Sequence, residues 1–234
     1  MARLQHTVVL EPVTRAWFDQ AAGIYFDWGT EYLTELGDPP AAEVQYEMPD
    51  SPTKVHLDSW QRDGEIAARW WKADSEGAVI GTARLDSPGS PRTAEVTADY
   101  RGAGLVQGWL TKVSGTLQVD MQTWWNGTAR QGIDPAVAGR FRQTFAHGGG
   151  TIAVAPAPGG RWEVTVRVTV HGRGLLRPVG AMTFLFARGK LKRLFAKMVT
   201  EFAQSWNKEV PRLRTMTPDE LRELINKEPT EAAP

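Results

Sequence analysis

The last third of the chain limits its possible folds more than any other stretch. Between residues 139 and 170, strand-like segments follow one another across tight turns, and over residues 175–206 the apolar spacing changes to that of a long helix. Trp162, Val164, Val166, Val168 and Val170 form the cleanest period-two run, and Glu163, Thr165, Arg167, Thr169 and His171 between them predict a wet opposite face. Leu191, Leu194, Phe195, Met198, Phe202 and Trp206 then keep one helical stripe, flanked by Lys190, Lys192, Arg193 and Lys197. A meander closed by one amphipathic helix encloses volume that small side chains need not fill, and enclosed apolar volume is where small molecules bind. The sequence points to a container.

The rest of the chain supplies more sheet. His6, Val8 and Leu10 alternate as a short strand before Pro12, and Val44, Tyr46 and Met48 alternate with glutamate and glutamine. Strands are expected at 54–60, 65–72, 78–85 and 93–100, with Asp63-Gly64 as a hairpin turn. Trp17, Ala21, Ile24, Tyr25, Trp28, Tyr32 and Leu33 recur at helical spacing, and Gly23 and Gly29 predict a break into two helices. Leu117, Val119 and Met121 alternate up to Trp124-Trp125, which predicts another strand. Gly148-Gly149-Gly150 and Pro158-Gly159-Gly160 are expected turns. Pro211 should end the long helix. Thr217-Pro218-Asp219-Glu220 has the composition of a capping box and predicts a short helix through Ile225, with disorder from Glu228 onward.

Composition excludes more than it identifies. Lys+Arg and Asp+Glu both number 27, so the net charge is zero and nothing asks for nucleic acid. The distribution is dipolar, with nine acids in residues 1–50 and eight bases without an acid in residues 164–200. There is no cysteine, which removes disulfides, thiolate nucleophiles and cysteine metal sites. Four scattered histidines without paired spacing predict no metal, and no cofactor is expected. Neither a signal peptide nor a membrane span is evident, so a cytoplasmic address is the expectation.

Three segments carry a resemblance: Gly139-Arg-Phe-Arg-Gln-Thr-Phe, Gly150-Thr-Ile-Ala-Val, and the run from Gly160-Arg-Trp-Glu-Val into the long helix. They resemble the C-terminal half of the START-like (SRPBCC) helix-grip superfamily, which includes polyketide cyclases and dehydratases and lipid carriers. The resemblance is good over about residues 139–208, plausible over 5–60 and poor over about 61–138. It implies an α+β fold in which a curved antiparallel sheet wraps around a long C-terminal helix. Residues 1–210 would form that single domain, with extra strands or an insertion over about 61–138, and 211–234 would be a tail.

Candidate site residues follow from that picture. Phe141, Gln143, Phe145 and His147 share one strand face if the strand runs straight, so Gln143 could hold a carbonyl and His147 could move a proton. The competing placement leaves His147 in solvent beside three glycines. Trp124, Trp162, Val166, Val168, Met182, Phe186, Phe195, Met198 and Phe202 would line the ligand space. Each tryptophan also has the plain reading of core filling. His56 and Asp58 are expected in water, because Val55 and Leu57 alternate with them and look like the core side.

Three functions are carried forward. The first is a binder of a bulky hydrophobic small molecule, a polyketide-like metabolite or a lipid. The second is a cyclase- or dehydratase-like enzyme without metal or redox cofactor. The third is a peripheral membrane lipid carrier that uses the basic helix, whose lysines otherwise are merely solvated.

Overall fold

The computed structural model describes residues 2–35, 44–47, 53–75, 77–103, 111–129, 134–172 and 177–231, with residues 2, 44–47, 128–129, 177–188 and 227–231 described by their backbone. In chain order the elements are β1 (Ala2–Leu10), α1 (Arg15–Glu35), β2 (Val44–Glu47), β3 (Thr53–Trp60), β4 (Glu65–Asp74), β5 (Gly77–Asp86), β6 (Thr93–Gly102) and β7 (Val113–Asp120). They continue with α2 (Met121–Ala129), β8 (Val137–Gln143), β9 (Ala146–Pro156), β10 (Trp162–Gly172), α3 (Arg177–Leu213) and α4 (Pro218–Glu231). The fold is α+β.

The strands among the described residues form one 10-stranded sheet in the order β1-β10-β9-β8-β7-β6-β5-β4-β3-β2, and every neighbouring pair is antiparallel. From β2 to β10 the chain is therefore a plain meander. The exception is β1, which crosses to pair with the last strand, Ala2 opposite Val170 and Leu10 opposite Trp162. The expected strands at 54–60, 65–72, 78–85 and 93–100 are consecutive members of this sheet, so the strands β4 to β7 extend it rather than interrupt it.

Two cores anchor the helices on one face. In the first, Leu10, Val13, Val154, Trp162 and Val164 pack with Ala203 and Val210 of α3. Both tryptophans of α2 meet Trp162 edge-on, with ring centroids 5.6 Å away for Trp124 and 5.9 Å for Trp125. In the second, Leu33 of α1 packs with Leu57, Val55 and Trp60. Since Trp17 belongs to the first core and Leu33 to the second, α1 spans from the β1 side to the β3 side. The C-terminal part of α3 is tied along β1. Trp206 donates its indole N–H to Glu11 O (2.8 Å), Asn207 Oδ1 accepts from Glu11 N (2.7 Å), and Asn207 Nδ2 donates to Val9 O (2.8 Å).

Several sequence expectations are corrected here. The helix over residues 15–35 is continuous because its glycines serve close approach. A Cβ at Gly29 would lie 3.3 Å from the Trp60 ring, and one at Gly23 would lie 2.8 Å from the Arg62 guanidinium. The strand expected through Trp125 stops at Asp120, whose carboxylate accepts from Thr123 N and Thr123 Oγ1 (2.8 Å each) and so caps α2. Gly148, Gly149 and Gly150 lie inside β9; the turn is at Thr144-Phe145. The expected turn at Pro158-Gly159-Gly160 is present, with φ of +75° and +73° at the glycines, values that favour residues without Cβ. Pro211 sits inside α3, which runs on to Leu213. The predicted capping box opens α4, with Thr217 N donating to Glu220 Oε2 (2.7 Å) and Glu220 N to Thr217 Oγ1 (3.3 Å), and the helix extends past Ile225 to Glu231. Met48 lies outside the described residues.

Two stability outcomes follow from these contacts. Trp162 is 4% exposed at the meeting point of β10, α2 and α3, so Trp162→Ala should lose about 3–5 kcal/mol in chemical denaturation. Asp120→Ala should lose about 1 kcal/mol, the usual worth of an N-cap. The hydrogen bond from Thr123 N holds the Asp120 carboxyl below its ordinary value of 3.8, so the cap contributes fully above that value and is lost as pH falls through the lower folded one. The difference between Asp120→Ala and the parent chain should accordingly shrink in strong acid.

Candidate functional site

Ladder register assigns the paired strand residues to one face or the other of the sheet, because partners directly opposite one another point the same way. One face carries Leu4, His6, Val8 and Leu10 of β1 opposite Val168, Val166, Val164 and Trp162 of β10. It continues through Ile152 and Val154, then Val137, Gly139 and Phe141, then Gly115, Leu117 and Val119. Beyond them are Ala94, Val96 and Ala98, then Gly81, Ala83 and Leu85, then Ile66, Ala68 and Trp70. This face is apolar across almost its whole width.

Its cover is incomplete. Toward β1, β10 and β9 the side chains are buried under α2 and α3, and at β3 Leu57 is buried under α1. Over the middle strands Val96 is 37% exposed and Leu117 is 44% exposed. On α3, Leu194, Met198 and Phe202 are 53%, 61% and 60% exposed. At about 100° per residue, Phe202 and Met198 lie about 100° and 140° around the helix from the buried Ala203, on the side that also carries Trp206 and Leu213. The helix thus has a buried stripe on β1, a basic flank, and a second apolar stripe on which Trp206 packs against the core while Leu194, Met198 and Phe202 are exposed. Helix α3 packs on β1 and β10, so the uncovered middle of the sheet and the exposed part of this stripe are two apolar patches, and their residues are the candidate site residues.

The floor of the site is shaped by aromatic rings laid over glycines. A Cβ at Gly81 would strike the Trp70 ring, and one at Gly148 would approach the Phe141 ring to 2.7 Å and collide with Thr169 O. Glycine at these positions lets each ring lie down on the neighbouring strand. By contrast a Cβ at Gly115 would meet only Arg140 O, at 3.6 Å, so the sheet there is unroofed.

Each sequence candidate now has a place. Phe141 lies half-buried on the apolar face, and Gln143 shares that face at the end of β8. Val166 and Val168 are half-buried on the same face, and on α3 Phe195 is half-buried while Met198 and Phe202 are exposed. Trp162 and Trp124 belong to the packed core and do not line open space. Phe145 is in the β8–β9 turn, and the side chains of Met182 and Phe186 lie outside the described residues. His147 pairs with Arg142 and His171, so it sits on the opposite, polar face; the turn at Thr144-Phe145 reverses the parity that a straight strand would have given it. The histidine on the apolar face is His6, whose Nε2 lies 3.0 Å from Thr200 Oγ1 of α3. Leu117, Val96, Trp70 and His6 went unrecognised as site residues in the sequence, although the first two follow from the same period-two rule.

The expected solvated pair is on the polar face. His56 Nε2 is 3.5 Å from Asp58, and Arg69 donates to both Asp58 oxygens at 3.0 Å from Nε. The Arg69 guanidinium holds the Asp58 carboxyl below its usual value, which is the behaviour of a structural ion pair. A separate cavity of about 270 Å³ opens between α1, the end of α3 and α4, lined by Trp17, Tyr25, Leu213, Leu221 and Ile225. The described residues contain no group of His, Cys, Asp or Glu able to hold a metal ion, and no helix among them is long and apolar enough to cross a membrane.

The floor geometry separates two superficially equal substitutions. Gly148→Ala must displace backbone and should cost on the order of 1–3 kcal/mol, while Gly115→Ala should change stability little. Equal melting temperatures for the two variants would contradict the ring-over-glycine arrangement. No family model, curated protein or solved structure matches this chain.

Proposed function

We propose that this protein binds a bulky hydrophobic small molecule, a polyketide-like metabolite or a lipid, between the apolar face of the sheet and α3, in the manner that the helix-grip resemblance implies. The observation that carries this reading is the exposure of Val96 and Leu117 on the sheet together with Leu194, Met198 and Phe202 on α3. Large apolar side chains left exposed, here on the middle strands and on a helix seated at the sheet's margin, mark an interaction site more often than a packing fault. Trp70 on β4 and Phe141 on β8, each lying over a glycine of the neighbouring strand, offer flat aromatic surfaces that suit a ring system or an acyl chain.

Cyclase- or dehydratase-like chemistry would use the same space, with shape holding a flexible chain near its reactive conformation. That reading keeps Gln143 as a polar group on the ligand face and loses His147. Peripheral lipid carriage draws on a different observation: the exposed Leu194 and Met198 share α3 with the exposed Lys190, Lys192, Arg193 and Lys197, a combination suited to an anionic lipid surface.

Native mass spectrometry of the full chain should show a dissociable hydrophobic guest, and the fluorophore ANS should brighten on the guest-free protein. Leu117→Glu and Met198→Glu change exposed positions, so both variants should fold while ANS affinity falls about tenfold, a change of 1.4 kcal/mol. Absence of a guest together with unchanged ANS binding in both variants would sink the proposal. Salt-sensitive sedimentation with anionic vesicles would favour the lipid-carrier reading.

A further inference from the structure

The polar face of the sheet carries its own concavity. It has a volume of about 740 Å³, and its lining includes Thr97 and Asp99 of β6, Ser114 and Thr116 of β7, Arg140 and Arg142 of β8, and His147 of β9. The ladder brings these residues into rows that cross the strands. Asp99 pairs with Ser114, Ser114 with Arg142, Arg142 with His147, and His147 with His171. In the next row Thr97 pairs with Thr116, and Thr116 with Arg140. The two imidazoles stack, with centroids 5.1 Å apart and planes 16° from parallel.

Several exposed guanidinium groups on this protein are paired, Arg69 with Asp58, Arg62 with Asp27 and Arg222 with Glu31. Arg140 and Arg142 have no ion pair and no side-chain hydrogen bond among the described residues, although both line the groove. They are two residues apart on one strand, so their stems rise about 6.8 Å from one another on the same face. A guanidinium presents a rigid fork of donors that matches the oxygens of a phosphoryl group, and hydroxyls of serine and threonine complete such sites. Asp99 lies two strands from Arg142, about 9.6 Å at the usual strand spacing, and repels a second anion while accepting a hydrogen bond from a hydroxyl group.

We propose that this groove binds a phosphomonoester, with the phosphoryl oxygens held by Arg140 and Arg142 beside His147, and hydroxyl groups of the ligand directed toward Ser114 and Asp99. The site is on the face opposite the apolar site and is independent of it.

Titration of the full chain with inorganic phosphate, glucose 6-phosphate and glucose, followed by NMR or calorimetry, tests this. Glucose 6-phosphate should bind more tightly than phosphate, and glucose should not bind. Arg140→Ala and Arg142→Ala should each weaken glucose 6-phosphate by about tenfold or more, as expected for loss of charge-assisted hydrogen bonds. Arg142→Lys should recover only part of the loss, since lysine lacks the fork, and this conservative variant keeps the test decisive if an alanine variant fails to fold. Binding confined to vesicles containing phosphatidic acid, and lost in the same variants, would assign the phosphoryl group to a lipid headgroup. Leu117→Glu should leave phosphate binding intact. Failure of every phosphoryl probe at millimolar concentration, or equal binding by the parent and both alanine variants, overturns the proposal.

Discussion

The pairing of the first strand with the last is the interaction on which the other arrangements depend. Once Ala2 is opposite Val170 and Leu10 opposite Trp162, the two ends of the meander's cover are fixed. The chain leaves β1 at Pro12 and enters α1 on the apolar side, while the C-terminal part of α3 is bonded to the same strand through His6, Val9 and Glu11. Non-local strand pairing costs closure entropy and must be offset by burial. Here the offset is the cluster around Trp162, where the side chains of β1, β10, α2 and α3 meet.

That anchoring also explains why the site stays uncovered. Helix α3 is held at the β1 edge, where its small and polar residues, Thr200, Ala203 and Asn207, permit close approach. A helix seated at one margin of a ten-stranded sheet cannot cover the middle strands, and α1 reaches the far side through Phe26, Gly29, Thr30 and Leu33, against Trp60 and Leu57. The exposed side chains on β6, β7 and α3 are the physical remainder of a cover too narrow for its sheet.

Much of this fold is legible in the residues. The alternation in β10 and in β3 to β6 gives both the strands and their dry faces, and the box at Thr217 and Glu220 gives the start of α4. The failures have specific causes. Met121, Trp124 and Trp125 prolong the apolar pattern of β7, while the decisive signal is Asp120 followed three positions later by Thr123. Glycine has two uses, turning and making room, and sequence alone does not distinguish them; Gly148 makes room for the Phe141 ring. A turn misplaced by a few residues changes parity, and so His147 lies on the polar face and not on the apolar one. The cationic groove was illegible for a related reason, since Arg140, Arg142 and Asp99 become neighbours only through register.

An open sheet of this width has two margins on which a foreign strand could grow. Among the described residues one of them is β2. The other, β1, spans nine residues, and near its end the amide of Asn207 occupies the outward carbonyl of Val9 and the outward N–H of Glu11. A side chain there mimics a neighbouring backbone and occupies two of the groups that would template strand addition, so the residue that ties α3 to β1 also blunts that end of the edge.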